Sequence, residues 1–342
     1  MRNTLFALIL ALPAVPAVAE EKSSKDPDRD ESVLSFTLEN DLPANTDRYY
    51  TNGFRFTWTS EVNDIPEAVR IWSEPLVGTG ETVRWQATFG QNLYTPQDIK
   101  LPDPPADDQP YAAWLYASVG VITDEPYEGD SRFSRVQTSG ILSLGVVGPL
   151  ALGEQVQDFV HDIVGSPDPQ GWDHQLKNEP AVLLMLQRRW VFGAPLADFG
   201  GLRVDAAPHA TAALGNVFTH AAAGLTLRFG DPPDGDYGPP RIQPASPGSG
   251  FFGEVVGGDR LGWYVFAGAE GRAVGRNIFL DGNTFEDSPS VDKRYFVGEL
   301  SAGAVLTYDD FRIGYTHVIR SPEFEGQGGP SVFGGITVGW RF

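Results

Sequence analysis

The last twelve residues, SVFGGITVGWRF, alternate without a break. Val332, Gly334, Ile336, Val338, Trp340 and Phe342 share one parity, and Phe333, Gly335, Thr337, Gly339 and Arg341 share the other. A period of two puts each set on its own face of a strand. One face is largely apolar and ends in an aromatic ring; the other is mostly small or polar. The same grammar recurs upstream. Phe54, Phe56 and Trp58 alternate with Gly53, Arg55, Thr57 and Thr59, and Ala223, Leu225, Leu227 and Phe229 alternate with Gly224, Thr226 and Arg228. Phe311, Ile313 and Tyr315 alternate with Arg312, Gly314 and Thr316. Arginines on the inner parity of apolar strands are costly in a dry sandwich core. They suit the polar lumen of a transmembrane barrel.

Both ends of the chain agree with that reading. A final strand ending in Phe resembles the signal by which outer-membrane barrels are recognised for assembly. At the other end, Arg2, the apolar run Leu5 to Val15 and the small residues Ala17-Val18-Ala19 form a secretory signal peptide over 1–19, cut before Glu20. No other stretch approaches the ~18 consecutive apolar residues that a membrane helix needs. The chain has no cysteine, which excludes a disulfide framework, thiol chemistry and lipoprotein attachment. A net charge of −20 argues against nucleic acid as a partner. Residues 20–31 read as a disordered acidic lead-in, and 32–342 as the barrel.

Candidate strands fall near 33–39, 51–60, 82–91, 111–121, 133–146, 178–190, 200–212, 218–229, 261–271, 293–306, 310–320 and 331–342. Twelve is an even number, as a closed antiparallel bacterial barrel requires. With a periplasmic N-terminus, connections after odd-numbered strands lie outside. Residues 40–50, 92–110 and 147–177 therefore share the outer rim, and loops on a rigid scaffold are where function usually sits. The Pro/Gly-rich 230–260 falls on the periplasmic side, although long loops are normally extracellular.

Those three outer segments carry the chemistry. They read END…TDRYYTNG (39–53), GQNLYTPQDIK (90–100) with DDQPYAAWLY (107–116), and GVVGPLALGEQVQDFVHDIVGSPDPQGWDHQLKNEP (145–180). In this order, and above all in the spacing from His161 to Trp172, they resemble the calcium-dependent lipid A 3′-O-deacylase family of the outer membrane. The resemblance covers most of the first half of the chain after the signal peptide. Beyond the sixth strand it is mainly architectural. It implies a twelve-stranded barrel with its site at the outer rim, between the wall and a helix in an extracellular loop. There a histidine activates water and Ca2+ polarises an ester carbonyl of lipid A, or lipopolysaccharide, in the outer leaflet.

The residues support that picture locally. LGEQVQDFVHDIVG is helix-compatible: Val156, Phe159, Val160 and Ile163 share a face, and Gly165 with Pro167 end it. The helix holds His161, whose imidazole titrates close enough to neutrality to serve as general base. The resemblance implies Asn40, Asp41 and Thr51 as calcium ligands. Calcium wants six to eight oxygens, so carbonyls, water and substrate would complete an open shell. By alternation from Leu34, Phe36 and Leu38, Asn40 falls on the lipid-facing parity, and Asp41 and Thr51 on the lumen parity. A turn signal alone would account for Asn40 and Asp41, but not for the YTNG at the far end of the loop. Lys100 matches a family lysine that would contact a lipid A phosphate or the oxyanion. Where some of the family carries a carboxylate and a tyrosine, this chain reads Ser166-Pro167-Asp168-Pro169. Asp168 can replace the carboxylate as a metal ligand; no tyrosine replaces the other. Trp172, Gln175 and Tyr111 read as packing between the loop helix and the rim. No G-x-S-x-G, HExxH, P-loop or Rossmann glycine pattern is present. The rival readings are a non-catalytic barrel, a porin, and an outer-membrane phospholipase acting on glycerophospholipid.

Overall fold

The computed structural model describes residues 31–41, 48–127, 132–192, 194–233, 236–239 and 261–342. The expected signal peptide and, apart from Glu31, the acidic lead-in lie outside these residues. Glu31 pairs with Arg341 at 3.0 Å.

Thirteen strands run in chain order: β1 Val33–Asn40, β2 Tyr49–Thr59, β3 Thr82–Thr95, β4 Ala112–Pro126, β5 Phe133–Val147, β6 Glu179–Phe192, β7 Ala197–Phe199, β8 Leu202–Gly215, β9 Phe218–Asp231, β10 Leu261–Asn277, β11 Phe296–Tyr308, β12 Phe311–Arg320 and β13 Ser331–Arg341. Each wall strand pairs antiparallel with its neighbours. Pairings β1–β13, from Val33↔Arg341 to Asn40↔Gly334, and β6–β8, from Leu183↔Gly215 to Arg189↔His209, close the sheet. β7 has three residues and pairs with β8 alone. The wall is therefore the expected closed barrel of twelve strands. Several strands run past their expected outer ends, β3 to Thr95 and β10 to Asn277. In β3 the alternation fades there because both faces are buried.

Outward residues form an apolar band in which Leu34, Phe56, Leu225, Leu300 and Ile313 are all exposed. At the end bearing both termini it finishes in aromatic pairs, Trp58 with Trp85 and Trp340 with Phe342, as a membrane interface favours. Among the described residues no helix is long and apolar enough to cross a membrane.

Side chains enter the lumen at several levels. Among the described residues three helices accompany the wall. α1 spans Glu67–Val77 beside the termini end, α2 spans Gly153–Val164, and α3 spans Ile278–Asp281. Ile278 and Phe279 of α3 are fully buried, and Phe279 stacks on Tyr94 with centroids 3.8 Å apart. They join Trp114, Tyr116, Phe218 and Phe333 in one luminal cluster. Lower down, Arg272 and Arg320 share Glu299. Nearest the termini, the segment after β9 turns back into the barrel. Asp236 is met by Arg228 (3.2 Å), Arg312 (3.0 Å) and the Tyr264 hydroxyl (3.2 Å). Residues 236–239, at the start of the Pro/Gly-rich 230–260, are thus held inside the barrel; 240–260 lies outside the described residues. Neither α1 nor β7 follows from the sequence reading. Only Ser73 and Val77 of α1 are buried, too few to leave a helical period in so short a connection.

Candidate active site on the outer wall

α2 follows a turn of 3-10 helix at Pro149–Ala151 and starts at Gly153. It ends where Gly165 takes φ +71°, so that the Gly165 and Ser166 N–H groups both return to His161 O. This left-handed cap satisfies carbonyls the helix would otherwise orphan. Gly153, Gln157 and His161 recur every fourth residue and are the buried strip facing the wall. A Cβ on Gly153 would lie 2.5 Å from both Ala113 Cβ and Trp172 Cη2, so only glycine permits this approach. Of the apolar face read from the sequence, Val156, Phe159, Val160 and Ile163, Val156 alone packs on the cluster below, while Phe159 and Ile163 are exposed, so this face forms a flank.

Beneath α2, Leu93 and Ala113 of the outward parity are buried in a cluster with Ile99, Tyr111, Ala151 and Trp172, flanked by Leu115, Val146 and Val156. Trp172 Nε1 donates to Gln157 Oε1 at 2.8 Å, and its ring lies 4.9 Å from that of Tyr111. Both aromatics are the packing residues expected of them. The 96–111 loop is stitched to the same segment: Tyr111 Oη and Gln170 N both donate to Ile99 O. Asp108 holds that loop by accepting from Gln97 N and Gln109 N; burial pushes its carboxyl up, against those bonds.

His161 is 5% exposed, and its Nδ1 lies 2.6 Å from Pro167 O. A carbonyl only accepts, so Nδ1 is the protonated nitrogen of the bond and, in the neutral ring, Nε2 carries the lone pair. Asp158, one turn earlier, has its carboxyl pushed up by burial and then by Asp168 and Asp162, with His161 opposing.

The proposed oxygen ligands come together one strand away. Asn40 pairs across the ladder with Asn52, and Asp41 N donates to Thr51 O. Asp41 is buried, and its Oδ2 accepts from Arg48 N at 2.7 Å. Residues 42–47 lie outside the described residues. A β-bulge separates Tyr50↔Tyr94 from Asn52↔Leu93 and leaves Thr51 as the extra residue. Its hydroxyl lies 2.6 Å from that of Thr95, which shares the outward parity of Leu93. Simple alternation puts Thr51 on the lumen parity; the bulge breaks that period and turns its hydroxyl to Thr95. Tyr49, beside the bulge, holds φ +69° with its hydroxyl 3.1 Å from Gln97 Oε1. For a bulky residue this is an outlier of the kind that clusters at functional sites.

The structure thus gathers Asn40, Asp41 and Thr51 at one corner of the outer rim, with His161 on a helix against the neighbouring strands. Lys100 is exposed on the turn whose Ile99 carbonyl binds the 170 segment. Asp168 is exposed too, and Asp158 is its electrostatic neighbour. Among the described residues no three His, Asp or Glu side chains gather as a metal site. The Asn40, Asp41 and Thr51 set has a single carboxylate and so falls outside that count. Its donors are all hard oxygens, the chemistry that calcium accepts.

Gln91, Thr95 and Gln157 belong to this site and escaped the sequence reading. Gln91 Nε2 donates to Ala151 O, while its Oε1 is buried without a partner among the described residues. The signal was available: polar Gln91 and Thr95 occupy the outward parity of an otherwise apolar strand, as a covered patch of wall requires.

By structure, the chain is similar to LpxR from Salmonella typhimurium, with a TM-score of 0.72 at 20% identity over 91% of this chain and 100% of that one. Weaker likenesses extend to the translocator domain of the autotransporter NalP from Neisseria meningitidis (TM-score 0.45, 11% identity, 93% and 90% covered). Outer membrane phospholipase A from Escherichia coli is weaker again (TM-score 0.28, 12% identity, 91% and 96% covered). No curated protein matches the sequence. The family described as outer membrane protein LpxR matches residues 5–342, and the chain belongs to it.

Proposed function

We propose that the chain hydrolyses an ester-linked acyl chain of lipid A in the outer leaflet, releasing the 3′-acyloxyacyl group. The observation that carries this reading is the His161 Nδ1 bond to Pro167 O, made on a buried helical strip against the lipid-facing wall of a member of this family. With Nδ1 so engaged, Nε2 is the nitrogen that takes a proton from water at neutral pH. Water attacks the ester carbonyl directly, and the proton held at Nε2 passes to the departing alkoxide oxygen. No covalent acyl-enzyme is formed.

Asn40, Asp41 and Thr51 would hold calcium, and Asp168, in the segment after α2, is the further oxygen ligand of this reading. When bound, the ion supplies positive charge to the ester oxygen. Lys100, on the adjoining turn, contacts a lipid A phosphate or the oxyanion. Against the porin reading stand the Phe279 cluster and the Asp236 network, which place bulky and paired charged side chains inside the barrel at two levels among the described residues.

Mass spectrometry of lipid A tests the reading, using membranes that hold the wild type or His161→Ala, with calcium or chelator. Loss of a 3′-linked chain only with wild type and calcium is expected. Unchanged lipid A in every condition, with a folded barrel, refutes it.

A further inference from the structure

α2 has three faces of different chemistry. The strip Gly153, Gln157 and His161 meets the wall. At about 100° per residue, one flank carries the acids Glu154, Asp158 and Asp162. The other carries Leu152, Val156, Phe159 and Ile163. Apart from Val156, that second flank is uncovered: Phe159 is 65% exposed, Leu152 50%, and Leu150 in the preceding turn 64%. A soluble loop has no reason to hold so much bare apolar surface in one row. Val156 of the helix and Leu115 and Val146 of the wall all pack against the one cluster beneath α2. Two residues along β5 from Val146, Leu144 is 54% exposed in the lipid-facing band. The apolar flank is therefore continuous with the band, and the acidic flank points away from it.

We propose that α2 is an interfacial helix of the outer leaflet. Leu150, Leu152, Phe159 and Ile163 insert among lipid acyl chains, while Glu154, Asp158 and Asp162 face water. The occupant of the flank is lipid: the row extends the face of the barrel that lipid already covers, and a charged edge parallels it, as an amphipathic surface helix requires. The helix is a depth gauge. It fixes His161 where ester linkages lie, just under the headgroups, so substrate is met by lateral diffusion and need not leave the membrane. This consequence rests on the hydrolase reading; the insertion itself does not.

The absence of cysteine makes the test direct. Phe159→Cys and Asp162→Cys are labelled with an environment-sensitive fluorophore in the full chain, folded into phosphatidylcholine–phosphatidylglycerol vesicles. Insertion predicts that the probe at 159 is quenched by nitroxide-labelled lipid and shielded from iodide, with the reverse at 162. Equal access of iodide to both positions overturns the proposal. So does a probe at 159 shielded from both quenchers, the mark of a second protein copy on the flank. As a second arm, the double variant Phe159→Asp, Ile163→Asp should lose about tenfold in acyl release from vesicle-embedded lipid A, while keeping its rate in detergent micelles. Equal loss in both media means a purely structural role and overturns the depth-gauge function. If the wild type is inactive in both media while the quenching pattern holds, the insertion stands and the hydrolase reading falls.

Discussion

Gly153→Ala adds one methyl group where α2 meets the wall. That carbon would sit 2.5 Å from Ala113 Cβ and from Trp172 Cη2, whereas carbon atoms rest at ~3.5–4.0 Å. Something must give by about 1 Å. Ala113 is fixed in the β3–β4 ladder and by the Gly148 N–H on its carbonyl, and Trp172 is held by Tyr111 and Gln157, so the helix moves. Alanine's better helix propensity returns at most ~1 kcal/mol, less at this terminal position, against ~1–3 kcal/mol for overpacking. The steric term wins. A displacement of about 1 Å in a catalytic group can cost on the order of 10²-fold in rate, and kcat/KM for acyl release should fall by about that factor. The barrel itself should survive, with its heat-dependent gel mobility unchanged. Gly165→Ala is the control: φ is +71°, but no atom lies within 4 Å of the added carbon. It should weaken the cap by about 1 kcal/mol without moving the helix start. Full activity in Gly153→Ala refutes the close-approach reasoning, as does a parallel collapse of barrel and rate.

Asp236→Ala strips a shared carboxylate from Arg228 and Arg312 and should cost roughly 3–5 kcal/mol, seen as a lower Tm in detergent with acyl release unaltered. Asp158→Asn should move the acid limb of the pH–rate profile to lower pH. Protonated His161 pulls the Asp158 carboxyl down, so Asp158 in turn favours the imidazolium, and its removal leaves the neutral base present in more acid solution. Chelation should abolish acyl release reversibly, and Asp41→Ala should raise the calcium concentration for half-maximal activity; a chelator-resistant rate would dismiss the metal. In planar bilayers the wild type should show no conductance.

The barrel was legible because much of the wall repeats one simple pattern, apolar outward and small or polar inward, clearest in β2, β9, β12 and β13. What stayed hidden depends on contacts between distant segments. The bulge at Thr51 turns a side chain through one unpaired residue, and alternation carries no mark of it. The wall-facing strip of α2 is glycine, glutamine and histidine, so a hydrophobic pattern points to its flank instead. Asp236 reads as one more acid in a Pro/Gly-rich loop until three luminal partners, from β9, β10 and β12, converge on it. His161, Asn40 and Asp41 were legible only through the surrounding motif, since an isolated histidine or an Asn-Asp turn says little.

The side chains packed inside the barrel have a consequence for the cell that makes this protein. A barrel held open must be rationed, because every copy adds a leak for solutes and toxic compounds. With the Phe279 cluster and the Asp236 network set across the lumen among the described residues, abundance and permeability would be separate quantities. Under the proposed hydrolase reading, the number of copies could then rise with demand and leave the envelope the same barrier.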